Sequence, residues 1–152
     1  MANDSVWPTA GLRNIIISGN NIQQFTAGST IKAGNVVAFH GTGVDNTVWA
    51  AIVGTTYTCV GIALFDAASG SLVSVACRGC VAYGVNGKDN ASIDAGDPVT
   101  PATTPGTVST KALTGGVAPG PIVGYAFEDA ANYTDGLKFA IDIAPSYLTP
   151  AA

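Results

Sequence analysis

Cys77-Arg78-Gly79-Cys80 has the two-residue spacing used by redox dithiols and by zinc sites, so this is where chemistry would first be sought. A redox dithiol of that spacing belongs at a strand-to-helix junction, and no helical period follows Cys80. A structural zinc ion needs four ligands, and the sequence can add just one further thiol, Cys59, and one imidazole, His40. The pair therefore reads as small apolar residues in or beside a strand. His40 is the single histidine, so any imidazole base, triad or metal scheme must pass through it. It stands at a predicted strand end before Gly41, with no serine or cysteine motif beside it. Asp89, Asp94 and Asp97 carry calcium-type oxygens, but their spacing departs from an EF-hand loop and suits turn chemistry. Glu128 and Asp129 are adjacent, which on a strand sends the two carboxylates to opposite faces. Gly41-Thr42-Gly43 lacks the spacing and the lysine of a phosphate loop. The expectation is a protein with no catalytic residues, no metal and no cofactor.

The residues that do recur are structural. Ile31-Lys32-Ala33-Gly34-Asn35-Val36-Val37 is written again as Ile93-Asp94-Ala95-Gly96-Asp97-Pro98-Val99, and Val60-Gly61-Ile62-Ala63-Leu64-Phe65-Asp66-Ala67-Ala68 is echoed by Val123-Gly124-Tyr125-Ala126-Phe127-Glu128-Asp129-Ala130-Ala131. Ile31 to Ile93 and Gly34 to Gly96 span 62 residues; Val60 to Val123 and Asp66 to Asp129 span 63. Two phrases in one order at nearly one offset indicate two copies of a β unit, about 26–87 and 88–145. Each first phrase reads as a strand end turning through Ala-Gly into a new strand, with glycine supplying a positive φ.

The whole chain has 152 residues, enough for one domain, and two independent halves of that size would be marginal. The copies are therefore expected to share a core. Charged residues make up 11% of the chain, against roughly 25% in an average domain. So few charges imply that much surface is covered by copies of the chain or by a larger assembly. Net charge is −4, and the four lysines and two arginines are scattered, which argues against a nucleic-acid partner. Apolar runs such as Val60 to Phe65 are far below the roughly 20 residues of a membrane helix. The N-terminus has no basic region followed by an apolar stretch, so a protein made and kept in a cytoplasm is expected. Three cysteines, an odd set, fit reduced and buried thiols.

Along the chain, residues 1–14 form an extended arm whose Val6-Trp7-Pro8, Leu12 and Arg13 are candidates for binding a partner. Residues 15–145 form a single β domain, with short strands punctuated by Gly and Pro and no amphipathic helix. Trp49, Phe65, Phe127 and Phe139 fall on predicted strands and are expected in the core. Leu137, Phe139, Ile141 and Ile143 alternate as in a half-buried strand. Ala144-Pro145 is expected to end the sheet, leaving 146–152 as a tail in which Tyr147 and Leu148 are further partner-binding candidates. The fold class is all-β, a small barrel or sandwich of two related units of about 62 residues.

The phrase Ile-x-Ala-Gly-Asp/Asn-x-Val, a short hairpin with Gly and Val, and then Val-Gly-x-Ala followed by Asp-Ala and a strand resemble the small decoration, or cement, proteins of tailed-phage capsids. The resemblance covers about Thr26 to Ile143. It implies a β-rich fold without catalysis, frequent homotrimers, the major capsid protein as partner, and a place on the outer face of a mature head. No site residue transfers, because the likeness lies in the scaffold. A different reading is a non-catalytic β module that binds a glycan or other small ligand, on a virion or free, using Tyr57, Tyr83 or Tyr133.

Overall fold

A computed structural model describes residues 15–40, 44–52, 58–87, 93–110, 120–130 and 138–148. Eleven strands and no helix make up these residues: β1 (Ile16–Ser18), β2 (Ile22–Ala27), β3 (Val36–Phe39), β4 (Thr47–Ala50), β5 (Thr58–Ala63), β6 (Leu72–Ala76), β7 (Val81–Val85), β8 (Pro98–Pro101), β9 (Val108–Thr110), β10 (Gly120–Ala126) and β11 (Lys138–Leu148). The β-branched and small residues that dominate these segments pack well on a pleated surface, which is why the strands are short but numerous.

Five of the strands close a barrel in the order β2-β4-β3-β5-β6, and the other six form a sheet in the order β1-β7-β11-β10-β8-β9. The two share a connection pattern. In the barrel β3 lies between β4 and β5, and β5 pairs with β6; in the larger sheet β8 lies between β9 and β10, and β10 pairs with β11. Closure is also similar. The barrel shuts where β2 runs parallel to β4, with the Gly28 N–H donating to Val48 O at 2.8 Å. The larger sheet curls until Asn86, just past β7, bridges Val108 of β9 in parallel, and the Gly87 N–H donates to Val108 O at 2.8 Å.

The recurring sequence phrases make the same turn twice. Gly34 and Gly96 take φ of 90° and 95°, in the left-handed region that a side chain disfavours. An aspartate from the second phrase ties each turn down: Asp66 Oδ1 accepts the Ala33 N–H, and Asp129 Oδ1 accepts the Ala95 N–H, both at 2.8 Å. Within each turn a side chain caps a backbone N–H, Asn35 Oδ1 that of Lys32 and Asp97 Oδ2 that of Asp94. Ile31 bridges Ala67 and Ile93 bridges Ala130, both antiparallel.

The core has two parts. A smaller cluster, Phe25, Ala27, Ile31, Val37, Val48, Ala63, Ala67, Val73, Val75 and Cys77, fills the barrel. A larger cluster fills the curl of the second sheet with Val99, Val108, Ala126, Phe139, Ile141 and Ile143, and extends to the outside of the barrel through Val36, Ala38, Cys59, Ile62, Leu64 and Ala76. The joint is also hydrogen-bonded: the Val36 N–H donates to Gly106 O, and the Gly106 N–H donates to Ala51 O. Burying an Ile or Leu side chain contributes about 1.5–3 kcal/mol, so the joint is worth several such residues.

Two sequence expectations are corrected. The sheet does not end at Pro145, because β11 runs to Leu148, with Tyr147 opposite Pro121 and Leu148 opposite Gly120. The ladder passes from Ile122–Ser146 to Gly124–Ile143, so Ala144 and Pro145 together face Val123 in a bulge. A bulge tolerates a residue that has no N–H to donate, which lets the strand continue through proline. The second correction concerns three aromatics placed in the core: Phe65 is 59% and Phe127 64% exposed and Trp49 is half-buried, whereas Phe139 is buried as expected. Both exposed rings lie just past the end of a strand, Phe65 after β5 and Phe127 after β10.

Candidate docking surface

The side chains with chemical potential are separated by the fold. Cys77 and Cys80 sit at the ends of a tight turn between β6 and β7, where the Cys80 N–H donates to Cys77 O at 3.1 Å and Gly79 has φ of 92°. All three cysteines are buried thiols without disulfide bonds. Burial pushes the Cys77 thiol up, the neighbouring Cys80 adds to this, and a backbone hydrogen bond from Gln23 opposes it. A raised pKa leaves little thiolate, the opposite of what a redox or metal-binding cysteine needs. Cys59, in the larger core cluster, is pushed by desolvation to about 12.

His40 ends up beside aromatic surface: its ring lies 4.9 Å from that of Trp49, tilted by 50°. The Trp49 indole covers Gly28, where any side chain would collide with it. Trp49 itself is half-buried rather than in the core. Asp94 and Asp97 belong to the turn that Asp129 ties down, and Glu128 Oε1 accepts the Ala140 N–H at 2.9 Å, so the carboxylates of Asp97, Glu128 and Asp129 serve the backbone. Among the described residues no three His, Cys, Asp or Glu side chains converge as metal ligands would. No helix among them is long and apolar enough to cross a membrane.

The partner-binding candidates Val6, Trp7, Pro8, Leu12 and Arg13, together with Gly41 to Gly43, Tyr57, Asp89 and Tyr133, lie outside the described residues. Tyr147 and Leu148 are placed by their backbone at the far end of β11. Tyr83 is half-buried against the larger core cluster.

Exposed apolar side chains are a clearer surface feature, and sequence reasoning missed them. Leu72 is 65% exposed at the start of β6, Phe65 is exposed after β5, and Tyr125 and Phe127 are exposed on and just after β10. The available signal was the second repeat phrase, in which aromatics replace the aliphatic Ile62 and Leu64 of the first. Lys32 Nζ approaches Asp66 Oδ2 at 3.6 Å on open surface, so that pair contributes little. Burial lowers the Lys138 pKa, while Asp66 nearby acts to raise it.

Comparison with known proteins fits a fold whose described residues present exposed apolar surface. Among solved structures, the chain is similar to the head fiber gp8.5 N base of bacteriophage phi29, with a TM-score of 0.50 and 20% identity, over 81% of this chain and 92% of that one. That likeness concerns the fold. No curated protein sequence matches. The model of the phage cement protein family matches residues 16–142, which is most of the chain and nearly all of the described strands. The chain belongs to the phage cement protein family and has a structural, capsid-associated role.

Proposed function

We propose that the chain binds the outer surface of a mature phage head and stabilises it, with the major capsid protein as its partner. The family match over residues 16–142 carries this reading. The exposed aromatics and the charged fraction of 11% support it, since a shell component is covered by neighbours on much of its surface. The chain acts as a homotrimer, residues 15–145 serving as one β body that bridges shell subunits and adds buried area between them. Residues 1–14 and the end of β11 extend the contact, with Val6, Trp7, Pro8, Leu12, Arg13, Tyr147 and Leu148 as the residues that meet the shell. No covalent step is involved. Attachment follows maturation because the docking surface exists on the expanded shell alone.

Quantitative mass spectrometry of purified particles tests the reading. A copy number close to a simple ratio with the major capsid protein is expected, and absence from particles would refute it. Deleting residues 1–14 should reduce occupancy of heads at least tenfold while the circular dichroism spectrum keeps its β signature. Unchanged occupancy would remove the arm from the mechanism.

A further inference from the structure

The outside of the barrel is not free surface. Val36 and Ala38 on β3, Ile62 on β5 and Leu64 just beyond it alternate with the barrel-filling Val37 and Ala63, so they face away from the barrel interior. Their exposures are 0%, 0%, 0% and 8%, because the second sheet covers them. Backbone hydrogen bonds carry the comparison to the second sheet. The Leu64 N–H donates to Ser74 O on β6, and in the same way the Phe127 N–H donates to Ala140 O on β11. Phe127 thus stands where Leu64 does, and Tyr125 where Ile62 does, with Ala63 and Ala126 between them facing the two cores. Yet Tyr125 is 41% and Phe127 64% exposed. Pro98 and Thr100, which stand where Val36 and Ala38 do, are buried, so the face is open along its β10 edge alone, where the residues are larger and aromatic.

Charge distinguishes the two faces as well. Asp142 is directly across the ladder from Tyr125 and is exposed. The adjoining turn carries Asp94, Asp97, Glu128 and Asp129, where the first unit has Lys32, Asn35, Phe65 and Asp66. The open face is therefore an aromatic pair rimmed by five carboxylates, with no lysine or arginine at the corresponding turn positions.

We infer that the Tyr125–Phe127 face of β10 is the surface by which the chain docks on a shell subunit, and that the shell subunit meets it with apolar side chains flanked by Lys or Arg. The inference rests on the proposed head binding and assigns it a face. Charge selects the occupant. A second copy applied face to face would set carboxylates against carboxylates, and the whole chain offers just six Lys and Arg against ten Asp and Glu. The countercharge must come from another protein. Aromatic centres with a charged rim are what protein interfaces use, the aromatics supplying affinity and the rim supplying steering and register.

The test uses heads purified from phage lacking this protein, mixed with the purified full-length chain and sedimented at increasing salt. Wild type should bind saturably and more weakly at high salt. Phe127→Ser should weaken binding tenfold or more, and Asp94→Asn combined with Asp142→Asn should flatten the salt dependence. These side chains are exposed, so melting temperatures should stay within a few degrees of wild type. Should wild type bind while Phe127→Ser binds within twofold of it, the face assignment fails and head binding stands. Wild type that binds at no salt concentration removes head binding, and the face assignment with it. If the isolated wild type is an oligomer that Phe127→Ser dissociates, the face belongs to a second copy and the inference is overturned.

Discussion

Cys59 shows what a chemically able side chain does in this protein. Its thiol is buried and its pKa rises from 9.0 to about 12 through desolvation. Between those values the native protein retains a proton that the unfolded chain has released, so stability falls as pH rises through that window and is unaffected below it. One pH unit within the window corresponds to about 1.4 kcal/mol. Denaturant midpoints at about pH 8 and about pH 10 should therefore show wild type losing roughly 1.4 kcal/mol more than Cys59→Ala; equal losses would contradict the assignment. At this scale the sequence showed which local motifs were incomplete. Cys77 and Cys80 lacked a following helix, and the aspartates lay in turn phrases. It was a poor guide to Phe127, because alternation along a strand tells which way a side chain faces and not whether that face is covered.

At the scale of elements, β5 and β10 each carry a glycine where the next strand comes closest. A Cβ on Gly61 would fall on the carbonyl oxygen of Ala76, and one on Gly124 on that of Asp142. Both obstacles are backbone of a paired strand, so neither can swing aside. Gly124→Ala should cost about 3 kcal/mol or more, the scale of severe overpacking. Gly70→Ala meets nothing within 4 Å and strains φ alone, costing about 1 kcal/mol. Thermal melts of the two variants compare them directly, and equal shifts would refute the close approach. The turn phrases were legible because a positive-φ glycine and a capping aspartate leave local marks in sequence. The continuation of β11 was not, since Pro145 reads as a terminator unless the bulge opposite Val123 is known.

For the whole molecule, the larger core cluster joins the barrel to the second sheet. Val36, Ile62 and Leu64 belong to the barrel by sequence and to the second sheet by burial. The chain should unfold in a single step, with Trp fluorescence and far-ultraviolet circular dichroism giving superimposable urea transitions. Two separated transitions would mean that the barrel stands without its cover. Length led to the expectation of one shared core; the structure has two clusters, the larger of which draws on both the barrel and the second sheet. The parallel closures, β2 with β4 and Asn86 with Val108, were not readable, because they pair segments that local pattern does not connect.

The order β1-β7-β11 has a mechanical consequence. β7 is antiparallel to both neighbours, so β1 and β11 run in the same direction and the start of one lies at the opposite end of the sheet from the finish of the other. A pull applied where the described chain begins and ends therefore drags β1 and β11 past β7 lengthwise. The two residue pairs between β1 and β7 and the five between β7 and β11 are each loaded together instead of parting one after another. Tension between the two ends meets the sheet in shear, the direction in which a ladder of hydrogen bonds lying across the strands is hardest to break.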